Sequence, residues 1–542
     1  MSTHEDERGG QGEDNGRSRL LRAAGIVSAA VLLSRVVGLL RDMVAFNYLG
    51  TDTLEANAYA VASRFPEAIF MIVAGGAIGS AFIPTFAAYF VRQDAAGGWR
   101  LFSAVINLMT LVVGVIALLS AIFARPLIQF FYAEQITQLP ELLPLTVTLM
   151  RVMLLSTVIF AASGVVMGAL NARQHFLLPA LAPTIYNVGI ILGAVLWVQP
   201  DAGPTQGKAM GMALGTVLGA AGHFLVQLPG LVQKQAQYTP LLSVRDPGVL
   251  QVLKLMAPRI LGLSFSEVNK FVMLFLTGTA VMALGSLPAI NVAFRLINLP
   301  LGILGVALGI AAFPTLATLA ARNALDDMRE IITDSLRLLL FLGLPITILL
   351  MFLSQPIVSI LFERGLFDAT STEYAATALF YFALSLIALM MLELIARSFY
   401  ALSDTLTPVL AGGVQIGVMA ALSYWLSQSF FPAQGLLPVG GLALGYSLSN
   451  IFEVALLLWL LRRKMGRLAG RALLEGGGKM LLATGGMTAV LLFTLAQLPD
   501  NAWAQLIIGS AVGGAAYLLA CAVLRVKELG QIIAYGRRRL GL

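Results

Sequence analysis

Fourteen long apolar segments run through this sequence of 542 residues and leave few alternatives for its fold. A helix needs about 20 apolar residues to cross the hydrocarbon core of a bilayer. Within that core a helix satisfies its backbone polar groups internally. The sequence therefore predicts an all-α polytopic membrane protein with about fourteen transmembrane helices. The segments lie approximately at residues 23–49, 57–90, 101–125, 143–171, 176–198, 207–233, 250–279, 284–318, 331–354, 372–402, 406–430, 437–461, 477–497 and 502–525.

The charged residues support this prediction and orient the chain. They make up 12% of the sequence, against about 25% in soluble domains. Lysine and arginine concentrate in one alternating set of loops, as at Arg92, Arg173 and Lys234, whereas the other set holds little beyond Arg125 and Arg364. The positive-inside rule places the first set in the cytoplasm. Because fourteen is even, both termini are expected in the cytoplasm.

An internal repeat divides the chain. Residues 171–179 (NARQHFLLP) correspond to residues 400–408 (YALSDTLTP) at an offset of 229, and the Pro-Thr pairs at 84–85 and 314–315 are offset by 230. Two six-helix lobes in parallel repeat are therefore predicted, an arrangement typical of transporters with the substrate site between the repeats. The predicted parts are a disordered cytoplasmic tail (1–21), an N-terminal lobe (22–245), a C-terminal lobe (246–465), an extra two-helix pair (466–526) and a basic cytoplasmic tail (527–542).

The first predicted helix carries charges that are expensive inside a membrane. Such residues usually face a protein interior or a water-filled cavity, so Arg35 and Arg41 indicate a cavity that receives an anion. Arginine binds phosphate groups with bidentate geometry and stays charged. Six residues turn a helix by about 240° in net rotation, so the two arginines need a bend, for example at Gly38, to face one phosphate. The alternative for Arg41 is an ion pair with Asp42 or an extended side chain that reaches the interface.

Other predicted helices add basic candidates. Arg295, in the eighth, would be the second lobe's contact with an anion, or would pair with an acid such as Glu267. Arg64 and Lys270 each stand three residues from a glutamate, Glu67 and Glu267 respectively. Substrate contact and an i,i+3 ion pair are therefore both open for these two residues.

Two glutamates are candidates for ion or proton coupling. Glu267 is one, with the paired state as its alternative. Glu453, in the twelfth predicted helix, has no evident partner on that helix, and a solvated residue facing a cavity is its alternative. Glu393 and Arg397 are four residues apart and are expected to pair with each other.

No motif for enzyme chemistry accompanies these charges. The glycine clusters lie in apolar helices without a Walker lysine, no HExxH is present, and Cys521 is the single cysteine. We therefore expect no catalytic residues, no metal and no cofactor. The net charge of +7 is explained by loop orientation and headgroup contact, so nucleic acid is not expected as a partner.

Motifs along the chain resemble the MurJ/MviN family of lipid II flippases, which belongs to the multidrug/oligosaccharidyl-lipid/polysaccharide exporter superfamily. The resemblance covers about residues 22–525 and keeps the family's order. It implies a cationic cavity between the lobes and a groove for the polyprenyl tail that reaches the extra helix pair. The motifs are SRVVGLLRD at 34–42, AIGSAFIPT at 77–85, NARQHFLLPALAPTIYN at 171–187, LGVALGIAAFP at 304–314, LFERGLF at 361–367 and FYALSDTLTP at 399–408.

Single residues match the family only in part. Arg35, Arg41 and Asp42 match its first-helix motif, and Arg295 matches the arginine of its eighth helix. The resemblance thus implies substrate binding by these residues. The chain departs from the family at four positions. Phe70 stands where an arginine is usual, and Gly75 where a glutamate is usual. Phe294 replaces an acidic or amide residue, and Asn57 replaces an aspartate.

The function that the resemblance implies is translocation of lipid II, the undecaprenyl-diphosphate-linked peptidoglycan precursor. The lipid would move from the inner to the outer leaflet of the bacterial cytoplasmic membrane by alternating access, in support of cell-wall biogenesis and cell shape. Membrane lipids and cell-wall synthesis enzymes are the other expected partners. The departures keep a second hypothesis open, a flippase for a different polyprenyl-diphosphate glycan. A cation exporter would instead need acids in place of the arginines, and an enzyme would need clustered carboxylates or a metal.

Overall fold

The computed structural model describes residues 6–72, 79–197, 204–466, 470–531 and 534, and within these ranges the regular structure is helical. Ten helices in the described ranges are long and apolar enough to cross a membrane, or eleven if the bent pair Ala369–Ala383 and Ser385–Ala401 forms one span. The predicted class, an all-α polytopic membrane protein, is confirmed. The number fourteen stays a prediction.

Backbone contacts divide the chain into two compact units, Met1–Phe271 and Val272–Leu542. The boundary lies inside a helix, and the predicted lobes, which divide between residues 245 and 246, stay a prediction. The first unit contains α1 (Asp6–Leu49), α2 (Leu54–Ile69), α3 (Gly79–Val91), α4 (Ala95–Ile122), α5 (Ala124–Gln138), α6 (Leu142–Ala172), α7 (Leu177–Leu196), α8 (Pro204–Leu225), α9 (Leu228–Gln233) and most of α10 (Pro247–Thr277).

The second unit follows the helix order that starts at α2 in the first unit, and it adds two helices at its end. It contains α11 (Ser286–Pro300), a π-helical segment (Leu301–Val306), α12 (Ala307–Ala321), α13 (Leu325–Phe352), α14 (Ser354–Phe362), α15 (Ala369–Ala383), α16 (Ser385–Ala401), α17 (Leu406–Trp425), a π-helical segment (Leu426–Phe430), α18 (Phe431–Ala433), α19 (Pro438–Met465), α20 (Gly470–Gln497) and α21 (Ala502–Val523).

The internal repeat is present in the helix bounds. Helix α13 begins and ends 230 residues after α4, which is the offset of the Pro-Thr pairs. Helix α17 begins and ends 229 residues after α7, which is the offset of the first repeated motif. The turns that end helices repeat as well, since Gln93 and Asn323 both have positive φ, and so do Gln174 and Ser403. The repeat thus extends from the sequence motifs to the backbone conformation of the loops.

Short polar residues set where several helices begin. The hydroxyl of Thr53 accepts a hydrogen bond from the backbone N–H of Ala56 at 3.0 Å, and a carboxylate oxygen of Asp368 accepts one from Ser371 at 2.8 Å. Such side chains satisfy N–H groups that a helix leaves unpaired in its first turn. These caps position α2 and α15 at their loops.

Helices α7 and α8 approach each other through glycine. A Cβ atom on Gly193 would lie 2.2 Å from the carbonyl oxygen of Gly211, and one on Gly189 would lie 2.4 Å from the Cα of Gly219. Side chains at these positions would separate the two helices. This contact fixes α7, against which α1 also packs.

The extra helices α20 and α21 pack on α13 within the second unit. Their shared core includes Met480, Met487 and Cys521, and the hydroxyl of Tyr517 donates to the carbonyl oxygen of Phe341 at 2.8 Å. The chain after α21 stays in contact with this core. Val526 is part of it.

Two observations concern the predicted tails, which stay predictions. Helix α1 begins at Asp6, in the stretch expected to be a disordered tail. At the other end, Glu528 lies in the predicted basic tail but is buried, and its carboxylate binds Arg337 of α13 at 2.6 Å.

Two further helices, α5 and α14, were not predicted. They begin at Ala124 and Ser354, which are equivalent positions in the repeat, and they have 15 and 9 residues. Each directly follows a long apolar helix, and both are too short to cross a membrane. A search for long apolar segments therefore passes over them, although the repeat contains both.

Candidate substrate-binding residues

Arg41 and Asp42 form a fixed polar cluster with Asn187 of α7. The Nε and Nη2 atoms of Arg41 donate to Oδ1 of Asp42 at 3.0 and 2.8 Å, and Nη1 donates to Oδ1 of Asn187 at 2.8 Å. The side chains of Arg41 and Asp42 are 18% and 7% exposed. The ion pair considered for Arg41 is therefore formed. Asn187 was not predicted as a site residue, although an amide within an apolar helix could have signalled it.

The same asparagine also joins α7 to α1 about two turns before Arg41. Its Nδ2 atom donates to the carbonyl oxygen of Ser34 at 3.4 Å, and a Cβ on Gly38 would lie 3.5 Å from that nitrogen. Gly38 therefore lets α1 come close to α7. Helix α1 continues through this glycine to Leu49.

Arg35 stands apart from this cluster. Its side chain is exposed, and it forms no ion pair with any residue that the structure describes. Because α1 is continuous, Arg35 and Arg41 point in different directions around it. The two arginines are thus not equivalent. Arg41 binds a carboxylate and an amide, whereas Arg35 binds no carboxylate of a described residue.

Arg64 lies on α2 next to Glu67, with Nη1 3.6 Å from Oε2. The arginine side chain is 14% exposed and the glutamate side chain 50% exposed. At the departure positions of this helix, Phe70 packs on Phe160 with ring centroids 4.7 Å apart, and Asn57 is buried and donates to the carbonyl oxygens of Thr51 and Thr53. Gly75 lies outside the described residues.

Glu267 and Lys270 form an ion pair on α10, with Nζ 2.8 Å from Oε1. The glutamate side chain is 4% exposed and the lysine side chain 41%. The carboxylate is thus neutralised by a lysine on its own helix, and Lys270 keeps an accessible side.

Arg295 is half-buried on α11. The preceding Phe294 packs on Phe382 and Tyr446 with centroid distances of 4.4 and 5.2 Å. The two units share a sequence pattern around Arg64 and Arg295. Residues 61–64 (VASR) on α2 and 292–295 (VAFR) on α11 are offset by 231, and the Val-Ala pair is buried in both. Arg64 and Arg295 therefore occupy equivalent positions in the repeat, which the sequence analysis missed.

Glu453 is buried on α19, 7% exposed. One of its carboxylate oxygens lies 3.6 Å from the position that a Cβ on Gly412 would take. No ion pair within the described ranges includes it. Glu393 and Arg397 of α16 pair with each other, as predicted, and Arg397 also donates to the carbonyl oxygen of Glu393 at 2.6 Å.

A second buried polar cluster lies in the first unit and was not predicted. The hydroxyl of Ser163 is 2.7 Å from Nδ1 of His223, and Nε2 of Gln227 donates to that hydroxyl at 2.9 Å. His223 is 5% exposed. The repeat aligns His223 with Glu453, so each unit buries one titratable side chain at this position.

Comparison with solved structures describes the fold. It is similar to that of an inward-facing multidrug resistance MATE family transporter of the MOP superfamily, which has a TM-score of 0.68 at 14% identity and matches 80% of this chain and 96% of its own. A structure described as lipid II flippase MurJ in an inward closed conformation has a TM-score of 0.73 at 24% identity and matches 92% of this chain and 98% of its own. These identities support the fold alone.

The sequence comparisons define the family. The sequence model described as lipid II flippase MurJ matches residues 46–512. The lipid II flippase MurJ of Burkholderia cenocepacia is 30% identical over 406 residues, which cover 74% of this chain and 76% of that protein. The chain belongs to the lipid II flippase MurJ family, and it is a multi-pass membrane protein.

Proposed function

We propose that this protein translocates lipid II from the inner to the outer leaflet of the cytoplasmic membrane by alternating access, with arginines that bind the pyrophosphate. The family match over residues 46–512 carries the proposal. The charges of the two units support it, since arginines lie within apolar helices where a charge needs a functional or structural reason. The family is one of transporters, and we assign the protein no catalytic step.

The basic residues differ in whether a carboxylate lies nearby, and this difference determines how strongly each attracts an anion. Arg41, Arg64 and Lys270 each have a carboxylate within 4 Å, at 2.8, 3.6 and 2.8 Å respectively. Arg35 forms no such pair with a described residue and is exposed. We therefore assign Arg35 the strongest attraction for the pyrophosphate in the first unit, because its charge is not compensated nearby.

Arg41 has a different role in this proposal, that of an oriented hydrogen-bond donor. A guanidinium carries five N–H donors, and the bonds to Asp42 and Asn187 use three of them. One N–H on each of Nη1 and Nη2 is then left for a phosphate oxygen. Asp42 would position the guanidinium, which limits the entropy lost when an anion binds.

The equivalence of Arg64 and Arg295 supplies one arginine from each repeat. Alternating access further requires that the pyrophosphate bind the inward-open and outward-open states with different affinity, since a ligand shifts a conformational equilibrium only by that difference. We assign the tighter binding to the inward-open state. Glu267 and Glu453 are proposed as candidates for ion coupling.

Complementation tests the proposal. The chain would be expressed in a bacterium depleted of its own lipid II flippase, beside Arg35→Ala, Arg295→Ala and Arg64→Ala. Arg125→Ala is the matched control, because Arg125 is an exposed arginine on α5. We expect rescue by the parent and the control and loss of rescue by Arg35→Ala and Arg295→Ala at equal membrane abundance.

Failure of a well-inserted parent to rescue would refute lipid II as the substrate. It would favour the second hypothesis, a flippase for another polyprenyl-diphosphate glycan, for which Phe70 and Phe294 are the specific observations. Both positions hold aromatic side chains that pack on other rings. Competition binding between lipid II and other lipid-linked sugars would then identify the preferred glycan.

A further inference from the structure

The loop between α16 and α17 in the second unit holds an internal ion pair. Asp404 accepts a hydrogen bond from the backbone N–H of Thr407 at 3.0 Å through Oδ1 and one from the Thr407 hydroxyl at 2.8 Å through Oδ2. Lys464, at the end of α19, donates to Oδ2 of Asp404 at 2.7 Å. The carboxylate thus joins the start of α17 to the end of α19.

The first unit has the corresponding lysine without the carboxylate. The repeat aligns Lys234 with Lys464 and His175 with Asp404. Lys234 is half-buried and has no ion pair in the described part of the chain. A second cation, Arg173, lies with His175 in the loop between α6 and α7. Its guanidinium stands 4.0 Å from the ring centroid of Phe90.

Packing brings the segments that carry these cations together at one end of the unit. A Cβ on Gly230 of α9 would lie 3.0 Å from the side chain of Leu170 at the end of α6 and 3.2 Å from that of Leu178 at the start of α7. The segments that carry Arg173, His175 and Lys234 therefore meet. Lys234 is close enough to His175 to lower the pKa of that histidine, after burial as the larger cause.

Two polar atoms of this cluster lack the hydrogen bonds that burial requires. Nε of Arg173 and Nε2 of His175 are buried and have no partner among the described residues. Such atoms are uncommon in native structures and often indicate a missing water or ion. Because the neighbouring fixed charges are positive, the group that is complementary to this site is an anion.

We propose that Arg173, His175 and Lys234 form a phosphate-binding site, in which an external phosphate takes the place that the Asp404 carboxylate fills in the second unit. The phosphate can belong to an anionic lipid headgroup or be free inorganic phosphate. The site lies at the membrane face where arginine and lysine concentrate, where anionic lipids and basic side chains attract each other. It is separate from the transported substrate and does not depend on the proposed function.

The test measures ligand-induced stabilisation of the purified full-length protein in a neutral detergent. Thermal unfolding is followed against increasing dioctanoyl phosphatidylglycerol, against dioctanoylglycerol as the chain-matched compound without phosphate, and against inorganic phosphate at constant ionic strength. We expect saturable stabilisation by phosphatidylglycerol and none by dioctanoylglycerol. Stabilisation by inorganic phosphate at similar concentrations would identify free phosphate as a sufficient ligand.

Three variants link the response to the site. Lys234→Gln removes a charge-assisted contact and should weaken binding about tenfold or more. His175→Asp introduces the carboxylate of the second unit, so it should raise the unfolding temperature without ligand and remove the response to phosphatidylglycerol. Lys464→Gln is the matched control, which should lower basal stability and keep the response.

The proposal fails if Lys234→Gln and His175→Asp respond to phosphatidylglycerol as the parent does. It also fails if dioctanoylglycerol stabilises the parent equally, because the acyl chains would then account for the effect. Should His175→Asp not fold, the Lys234→Gln titration alone decides the outcome.

Discussion

The buried ion pair between Arg337 of α13 and Glu528 leads to a quantitative prediction about how the end of the chain is held. The two side chains are 9% and 6% exposed, and Nε lies 2.6 Å from Oε1. We consider replacement of either residue by methionine, Arg337→Met and Glu528→Met, and of both together. Methionine keeps much of the apolar stem of each side chain and removes the charge.

The expected magnitudes follow from burial. Removal of one partner of a buried pair leaves an uncompensated charge and costs about 3–5 kcal/mol, whereas replacement of both by apolar residues is often close to neutral. In the same helix, Arg329 pairs with Asp326, but those side chains are 27% and 90% exposed. An exposed pair contributes about 0–1 kcal/mol. The two pairs on α13 should therefore differ severalfold.

The assay is a double-mutant cycle on thermal unfolding in detergent. Each single variant should unfold several degrees below the parent, and the double variant should recover most of the loss. Arg329→Met serves as the control and should unfold close to the parent. The reasoning is refuted if the double variant loses the sum of the single losses, because the two charges would then not compensate each other.

Three other predictions concern the two units. Burial alone would raise the pKa of Asp404, but hydrogen bonds from Lys464 and Thr407 outweigh burial and lower the pKa from 3.8 to about 2. The ion pair therefore stabilises the fold above about pH 4 and loses its contribution as the pH falls toward 2. The difference in unfolding temperature between the parent and Asp404→Asn should shrink over that range. Gly193→Val should abolish folding as judged by size-exclusion chromatography, since its Cβ would lie 2.2 Å from a backbone oxygen, while Gly114→Val, with no atom within 4 Å, should be tolerated. Asp42→Asn removes the charge that holds the Arg41 guanidinium in position, so it should lower thermal stability and weaken binding of lipid II; equal affinity in variant and parent would contradict the role given to Arg41.

The candidate site shows where sequence reasoning ends. Pairs on one helix, such as Glu393 with Arg397, follow from helical spacing alone. Asn187 contacts Arg41 across 146 residues of sequence, and no spacing rule connects them. The equivalence of Arg64 and Arg295 was available in the sequence, but its offset of 231 differs from the motif offsets of 229 and 230, and the ends of α2 and α11, which are also 231 residues apart, support it.

The sequence by itself determined the membrane location, the helical class and the internal repeat of this protein. These follow from local properties, because apolar length, helical spacing and motif offsets are read along the chain. Only the tertiary structure decided which charges are compensated. It paired Arg41 with Asp42 and Asn187, buried Glu528 against Arg337, and gave Lys234 no carboxylate among the described residues to match the one at Lys464. The strength of a charge depends on its burial and its partners, and residues distant in sequence supply both.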